Sequence, residues 1–269
     1  MIKTIADLEG LTPEEIEDAR SRVNLRGLYY MGVKKNGNEE GLTLKEYQEH
    51  MKKEPDETCK TCRGTGLTKE YHRSVGTIHA SSAHTCVRRL YYDVDGTHRP
   101  KQYIKPELQI TFSMGHAIHD VVQKALHTAL PGKFKDEVKV DLDEAMVLGS
   151  STDGVAELEH ARVLLEIKSI GSEFDKLTKP KREHLTQAVG IYATAMDTPF
   201  ISFLYVSKKW PHEVKEFVVT YDEKYYRRWW KNKGSVVEEA LDNGAPPVAD
   251  ASKDDCGFCP YAYFCPQKL

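Results

Sequence analysis

The chain is short of several things. No apolar run reaches the roughly 20 residues that a membrane-spanning helix needs, and no signal-peptide core follows Met1, so the expected location is the cytoplasm and no membrane partner is expected. Internal repeats and low-complexity tracts are absent, which argues against solenoid and fibrous classes. An excess of either charge is missing too: 38 Lys+Arg stand against 41 Asp+Glu in 269 residues, a formal net charge of -3. That balance argues against a general nucleic-acid coat, which needs a broadly cationic surface. With 40% hydrophobic and 29% charged residues, the composition is that of a globular chain and not of a disordered one.

Cysteine is sparse but clustered. The six thiols are Cys59, Cys62, Cys86, Cys256, Cys259 and Cys265, and four of them form two Cys-x-x-Cys pairs. In a reducing compartment such pairs suit metal binding or redox chemistry better than disulfide staples.

Residues 1–79 read as a polar, helix-rich N-terminal extension. Thr12 is an N-cap, Pro13 a first helical residue, and Glu15 sits three positions after Thr12, as a capping box requires. A second helix start is expected at Thr43, and the Lys-, Gly- and Asn-rich stretch 34–41 reads as an exposed loop. Residues 80–269 carry an α/β pattern. Ala117, Ile118, Val121, Val122, Ala125 and Leu126 recur at helical spacing within 112–130, with His119 on the opposite side. Strands are expected at 137–142, at 146–158 with a break near Gly149, and at 162–169. A helix over 181–196, strands over 200–207 and 213–221, and a helix over 222–241 complete the order.

On the strand 162–169, Glu166 and Lys168 share one face while Val163, Leu165 and Ile167 take the other. A carboxylate that holds a divalent cation beside an amine that orients water is a hydrolytic arrangement. Glu-x-Lys alone carries little weight, since about one chance occurrence is expected in a chain of this length. It occurs three times, as Glu137/Lys139, Glu166/Lys168 and Glu213/Lys215. The first and third read as solvated, salt-bridged strand faces. Only the second follows three apolar residues and lies one strand after Asp153, in Gly149-Ser150-Ser151-Thr152-Asp153-Gly154. Asp153 and Glu166 on neighbouring strands would bracket one cation site, and His119 would complete it.

Gly115-x-x-x-His119, Asp153, Glu166-x-Lys168 and a following helix with Gln187 resemble, in this order, the PD-(D/E)XK nuclease core of the RecB type. The resemblance spans roughly residues 80–269. It implies a restriction-endonuclease-like α/β fold, a central mixed sheet flanked by helices. It implies Mg2+ or Mn2+ held by His119, Asp153, Glu166 and the Ile167 carbonyl, with Lys168 positioning water and Gln187 assisting near the phosphate. One position departs from the pattern: the tyrosine expected four residues after Gln187 stands five after it, as Tyr192, with Ile191 in its place. On an α-helix that shift turns the side chain by about 100°, which directs Tyr192 toward the core, and His184 becomes a substitute contact.

One early cysteine, Cys86, followed by a late Cys256-x2-Cys259-x5-Cys265 resembles the iron-sulfur subgroup of these nucleases, the AddB and CRISPR-associated exonuclease type. That likeness implies a [4Fe-4S] cluster clasping the two ends of the domain. Zinc on four thiolates uses the same ligands, and Cys59/Cys62 would suit Zn2+ either with Cys256/Cys259 or with nearby histidines. DNA is the implied partner, most readily single-stranded. Lys176, Lys179, Lys181 and Arg182 form an acid-free cationic run next to the Glu-x-Lys strand, with His184 and Tyr192 beyond it. The implied activity is exonucleolytic trimming of single-stranded ends, in the company of recombination, repair or CRISPR-adaptation proteins. A catalytically inactive nucleic-acid-binding protein and a zinc-stabilised interaction module are the competing classes.

Overall fold

The computed structural model describes residues 1–38, 76–97, 106–171, 173–210, 212–251, 256–257 and 259–266. Cys59, Cys62 and the expected helix start at Thr43 lie outside the described residues.

The chain begins with helices α1 (Pro13–Ser21) and α2 (Leu25–Asn38), then α3 (Val87–Asp95) and the long α4 (Pro106–Ala129). Strands β1 (Phe134–Leu142), β2 (Val147–Glu157) and β3 (Arg162–Ile170) follow as an antiparallel meander. Helix α5 (182–196) crosses to β4 (Phe200–Ser207), which runs parallel to β3. Strand β5 (Val214–Thr220) pairs antiparallel with β4, and α6 (223–242) ends the regular structure. The sheet order is β1-β2-β3-β4-β5, a mixed sheet flanked by helices as the α/β reading expects.

β3 is the middle strand and is buried on both faces. Val163, Leu165 and Ile167 pack against Val122, Ala125 and Leu126 of α4. Leu164 packs with Phe203 and Tyr205 of β4 and with Val189 and Tyr192 of α5. Each large apolar side chain so buried contributes about 1.5–3 kcal/mol. This two-sided burial explains why the strand reads as a nearly continuous apolar run.

The N-terminal helices join the α4-side core through Ala19, Val23, Leu25 and Tyr29. Thr12 caps α1 with the expected capping box, its hydroxyl accepting from Glu15 N–H while the Glu15 carboxylate accepts from Thr12 N–H. The loop expected over 34–41 is corrected in its first part, because α2 stays helical through Asn38. Packing decides this against local composition: a Cβ at Gly32 would lie 1.9 Å from the Ala125 carbonyl oxygen, so the glycine lets α2 rest on the α4 backbone. Glu216 of β5 accepts from the Leu25 and Arg26 N–H groups at 3.0 and 3.1 Å, placing negative charge at the start of α2.

The β1–β2 hairpin turns over midway. Phe134 and its partner Ala156 belong to the α4-side core, whereas Val140 and Val147 belong to the α5-side core. Phe134 and Val140 are an even number of residues apart and would face one side of a regular strand. The reversal falls at Glu137, which adopts the left-handed conformation with φ 46°. For a side chain other than glycine that costs roughly 1–2 kcal/mol. β2 passes through Gly149, φ 66°, without ending there, so the expected break is a left-handed residue inside a continuous strand.

Candidate active site

The chemistry gathers where α4 passes the ends of β2 and β3. At Gly115 a Cβ would meet the Ser169 hydroxyl at 3.4 Å, so α4 approaches β3 closely there. One turn later, His119 Nδ1 lies 3.2 Å from Asp153 Oδ1. The second oxygen of Asp153 accepts the Ile167 N–H at 2.6 Å, tying the β2 carboxylate to the backbone of β3. Asp153 and Glu166 stand opposite each other, one step beyond the paired Gly154 and Leu165.

Glu166 is 2% exposed, and its Oε1 is held by the Lys168 ammonium. Its Oε2 is buried with no hydrogen-bond partner. Burial raises the Glu166 carboxyl to about 7, against the pull of Lys168 and with help from the Asp153 charge. Burial opposes the charge on Lys168, but Glu166 and Asp153 outweigh it and the ammonium is held above its ordinary range. For His119, burial is likewise outweighed by the hydrogen bond and charge of Asp153, and the imidazole is raised. Above neutral pH the Glu166 carboxylate therefore faces the Lys168 ammonium.

Helix α5 supplies Gln187 and Tyr192 through an irregularity. Residues Thr186–Tyr192 form a π turn inside the helix. On a regular α-helix, side chains five apart point about 140° from each other, whereas the wider π turn brings them together. The Gln187 amide donates to the Tyr192 hydroxyl at 3.0 Å. Both residues are buried, at 8% and 3% exposure. The Tyr192 ring belongs to the core, as its shifted position suggests, but its hydroxyl senses Glu166, Asp153 and Glu137. Burial first and those charges second push it above its ordinary range.

A cavity of about 400 Å3 opens beside Lys168, lined by Ser169, Ile170, Gly171, Glu173, Lys181 and His184. The Tyr205 hydroxyl accepts from Lys181 N–H at 3.2 Å and meets His184 Nδ1 at 2.7 Å. Burial and then the charges of Lys168 and Lys181 push His184 down to about 3, so the ring is neutral. Lys176, Lys179 and Arg182 are exposed, and Lys181, which lines the cavity, pairs with Glu173 at 2.8 Å. Lys215 Nζ donates to the Phe174, Asp175 and Leu177 carbonyls at 2.8, 3.0 and 3.1 Å, so the third Glu-x-Lys lysine fastens the cationic loop.

Sequence reasoning missed the roles of Tyr205 and Lys215. The aromatic and cationic stretch 224–233 is largely structural: Trp229 is buried with its indole N–H on the Ala83 carbonyl, and Lys233 binds the Thr85 carbonyl and Asp250.

At the other end of the domain, Cys86 precedes α3, and the tail that carries Cys256, Cys259 and Cys265 folds against the same helix. Tyr261 donates to Asp93 at 2.8 Å and packs on Tyr92, while Asp250 accepts the Val87 N–H at 2.7 Å. Burial raises the Cys259 thiol, with Cys86 and Cys256 adding to the shift. Among the described residues no three His, Cys, Asp or Glu side chains are drawn together closely enough to close on a metal ion, and no helix is long and apolar enough to cross a membrane.

No family model and no curated protein matches this chain. Among solved structures it is similar to SSO0001, at 17% identity and TM-score 0.46, covering 74% of this chain and 91% of that one. It is also similar to LHK-Exo in complex with dAMP, at 17% identity and TM-score 0.47, covering 63% and 90%. A further similar structure is the alkaline exonuclease LHK-Exo from Laribacter hongkongensis, at 16% identity and TM-score 0.42, covering 63% and 94%.

Proposed function

We propose that the chain is a divalent-metal-dependent deoxyribonuclease of the RecB-like PD-(D/E)XK type that trims single-stranded DNA ends. The observation that carries this reading is Glu166 Oε2, a buried carboxylate oxygen with no partner beside Asp153 and Lys168. Burying an uncompensated carboxylate is costly, and a hard cation is the natural partner for such an oxygen. By the chemistry of the donors, three oxygens and an imidazole, Asp153, Glu166, the Ile167 carbonyl and His119 would hold Mg2+ or Mn2+ once drawn in around it. A cation bound there polarises the phosphate and lowers the pKa of the attacking water.

The rest is supplied by the chain. Lys168 keeps its proton at neutral pH, so it orients the water and does not deprotonate it. Gln187 is held by the Tyr192 hydroxyl, whose part is to position it, and that hydroxyl feels the charges of Glu166 and Asp153. Lys176, Lys179, Lys181 and Arg182 neutralise phosphates at the mouth of the cavity, and neutral His184 offers an uncharged N–H donor there. Although Tyr192 is shifted by one residue, its pairing with Gln187 through the π turn supports an active site over a catalytically inactive nucleic-acid-binding protein. The expected settings are recombination, repair or CRISPR spacer processing, with protein partners from those systems. In manganese, linear single-stranded DNA is expected to be degraded while a closed single-stranded circle survives. Nicking of the circle as fast as the linear strand disappears would contradict an end-directed activity.

Cys86, Cys256, Cys259 and Cys265 form the proposed ligand set of a [4Fe-4S] cluster that joins α3 to the tail. Four thiolates leave no open iron position, so its role is structural. Protein purified without oxygen is expected to be brown, with iron and sulfide in about fourfold molar amounts as that cluster type requires. A colourless preparation with stoichiometric zinc would replace the cluster by a zinc site.

A further inference from the structure

The turn between β4 and β5 displays a tryptophan. Trp210 is 52% exposed, although this side chain is on average among the more buried. A single exposed apolar residue is ordinary in itself, but this one is firmly held. Trp210 N–H donates to Ser207 Oγ at 3.0 Å, Glu213 N–H to the Trp210 carbonyl at 2.8 Å, and the Tyr30 hydroxyl of α2 to the His212 carbonyl at 2.6 Å. Lys208 Nζ ties the same turn to α4 through the Thr111 carbonyl at 3.2 Å. A ring carried on a braced turn costs a ligand little further ordering.

The turn also adjoins the candidate active site. Lys208 N–H donates to the Ile170 carbonyl at 2.7 Å, and Ile170 lines the cavity beside Lys168, two residues or roughly 7 Å further along β3. The His212 ring stands 6.2 Å from the indole, tilted by 54°, and Lys209 next to Trp210 is exposed. Aromatic faces for bases and cations for phosphates are what an unpaired strand requires. A protein partner takes about 800 Å² on each side and disfavours lysine at its centre, which one short turn does not suit. The flat face of a nucleobase does match the indole. We propose that Trp210 is a stacking platform for an unpaired base of the strand that enters the cavity, with Lys209 on a neighbouring phosphate. This rests on the nuclease reading above and deepens it: a base inside a duplex has no free face to offer, so the platform selects single strands.

The test is binding of a fluorescent oligothymidylate of about 15 nucleotides to the whole chain, followed by anisotropy with a chelator present so that nothing is cut. A strand of the same length with every base removed serves as the control. Trp210→Ala is expected to bind oligothymidylate about 5- to 100-fold more weakly, and Trp210→Phe to return to within about threefold of the parent. On the base-free strand the parent and Trp210→Ala are expected to agree to within about twofold, because nothing is left to stack. The slope of affinity against salt is expected to stay the same, since no phosphate contact is lost. Trp210→Ala is also expected to melt within about 2 °C of the parent, as an exposed substitution. Unchanged oligothymidylate binding by Trp210→Ala, or an equal loss on both strands, would overturn the platform and leave the nuclease reading standing. No binding of either strand by the parent would overturn the single-strand reading and the platform with it.

Discussion

Replacing Lys168 by alanine is expected to lower DNA cutting by about 1,000-fold or more while DNA affinity stays within about threefold of the parent. The lysine is 23% exposed at the side chain and its ammonium is spent on Glu166, so it is not one of the phosphate contacts that set affinity. Those contacts are the ones proposed for Lys176, Lys179, Lys181 and Arg182. Removing it withdraws a fixed cation beside the proposed water and leaves a buried carboxylate without its partner, which costs stability of about 3–5 kcal/mol. The assay therefore belongs well below the melting temperature of the variant, and Lys168→Gln provides a second substitution of similar length. Retained binding with lost cutting separates a chemical role from a folding defect. A Lys168→Ala protein that binds and cuts like the parent would mean the assigned site is wrong.

The second large effect concerns Glu166. Mn2+ at 100 times its Kd is expected to stabilise the parent by about 2.7 kcal/mol and raise Tm by about 5–8 °C. Glu166→Gln is expected to show no such shift and no cutting, because the amide keeps the shape but loses the charge. The sign with pH follows from the raised carboxyl. A group that titrates at about 7 in the folded metal-free chain is protonated below that value and must release the proton to take a cation. Cation affinity is expected to be full above neutral pH and to fall about tenfold per pH unit below it. Thermal shifts measured from pH 6 to 9 check this. An unchanged Mn2+ shift in Glu166→Gln would place the cation elsewhere.

Much of this architecture was legible before any coordinates. Strand and helix limits from 134 to 242 follow apolar alternation and helical spacing, which burial on one or both faces imposes directly. Helix α2 was not legible, because Gly27, Gly32 and a lysine-rich end oppose it locally and only contact with α4 favours it. The π turn was hidden for a different reason. A regular helical period assigns Tyr192 to the core, and nothing in Gln187-Ala188-Val189-Gly190-Ile191-Tyr192 announces one extra residue in the turn. The turnover of the β1–β2 hairpin was hidden because alternation predicts facing only while the strand stays regular, and Glu137 is left-handed. Lys215 had no signal at all, since its three carbonyl partners come from a loop 38 to 41 residues away.

The central claim is that Asp153, Glu166 and Lys168 form a cation-dependent centre for phosphodiester cleavage. Its most direct test is nucleotide release from end-labelled single-stranded DNA, followed for the parent, Asp153→Asn and Lys168→Ala with Mn2+ and again after chelation. The parent is expected to release nucleotides in Mn2+ and to stop on chelation, and neither variant is expected to release any. Release that persists after chelation, or that both variants sustain at the parent rate, would contradict it.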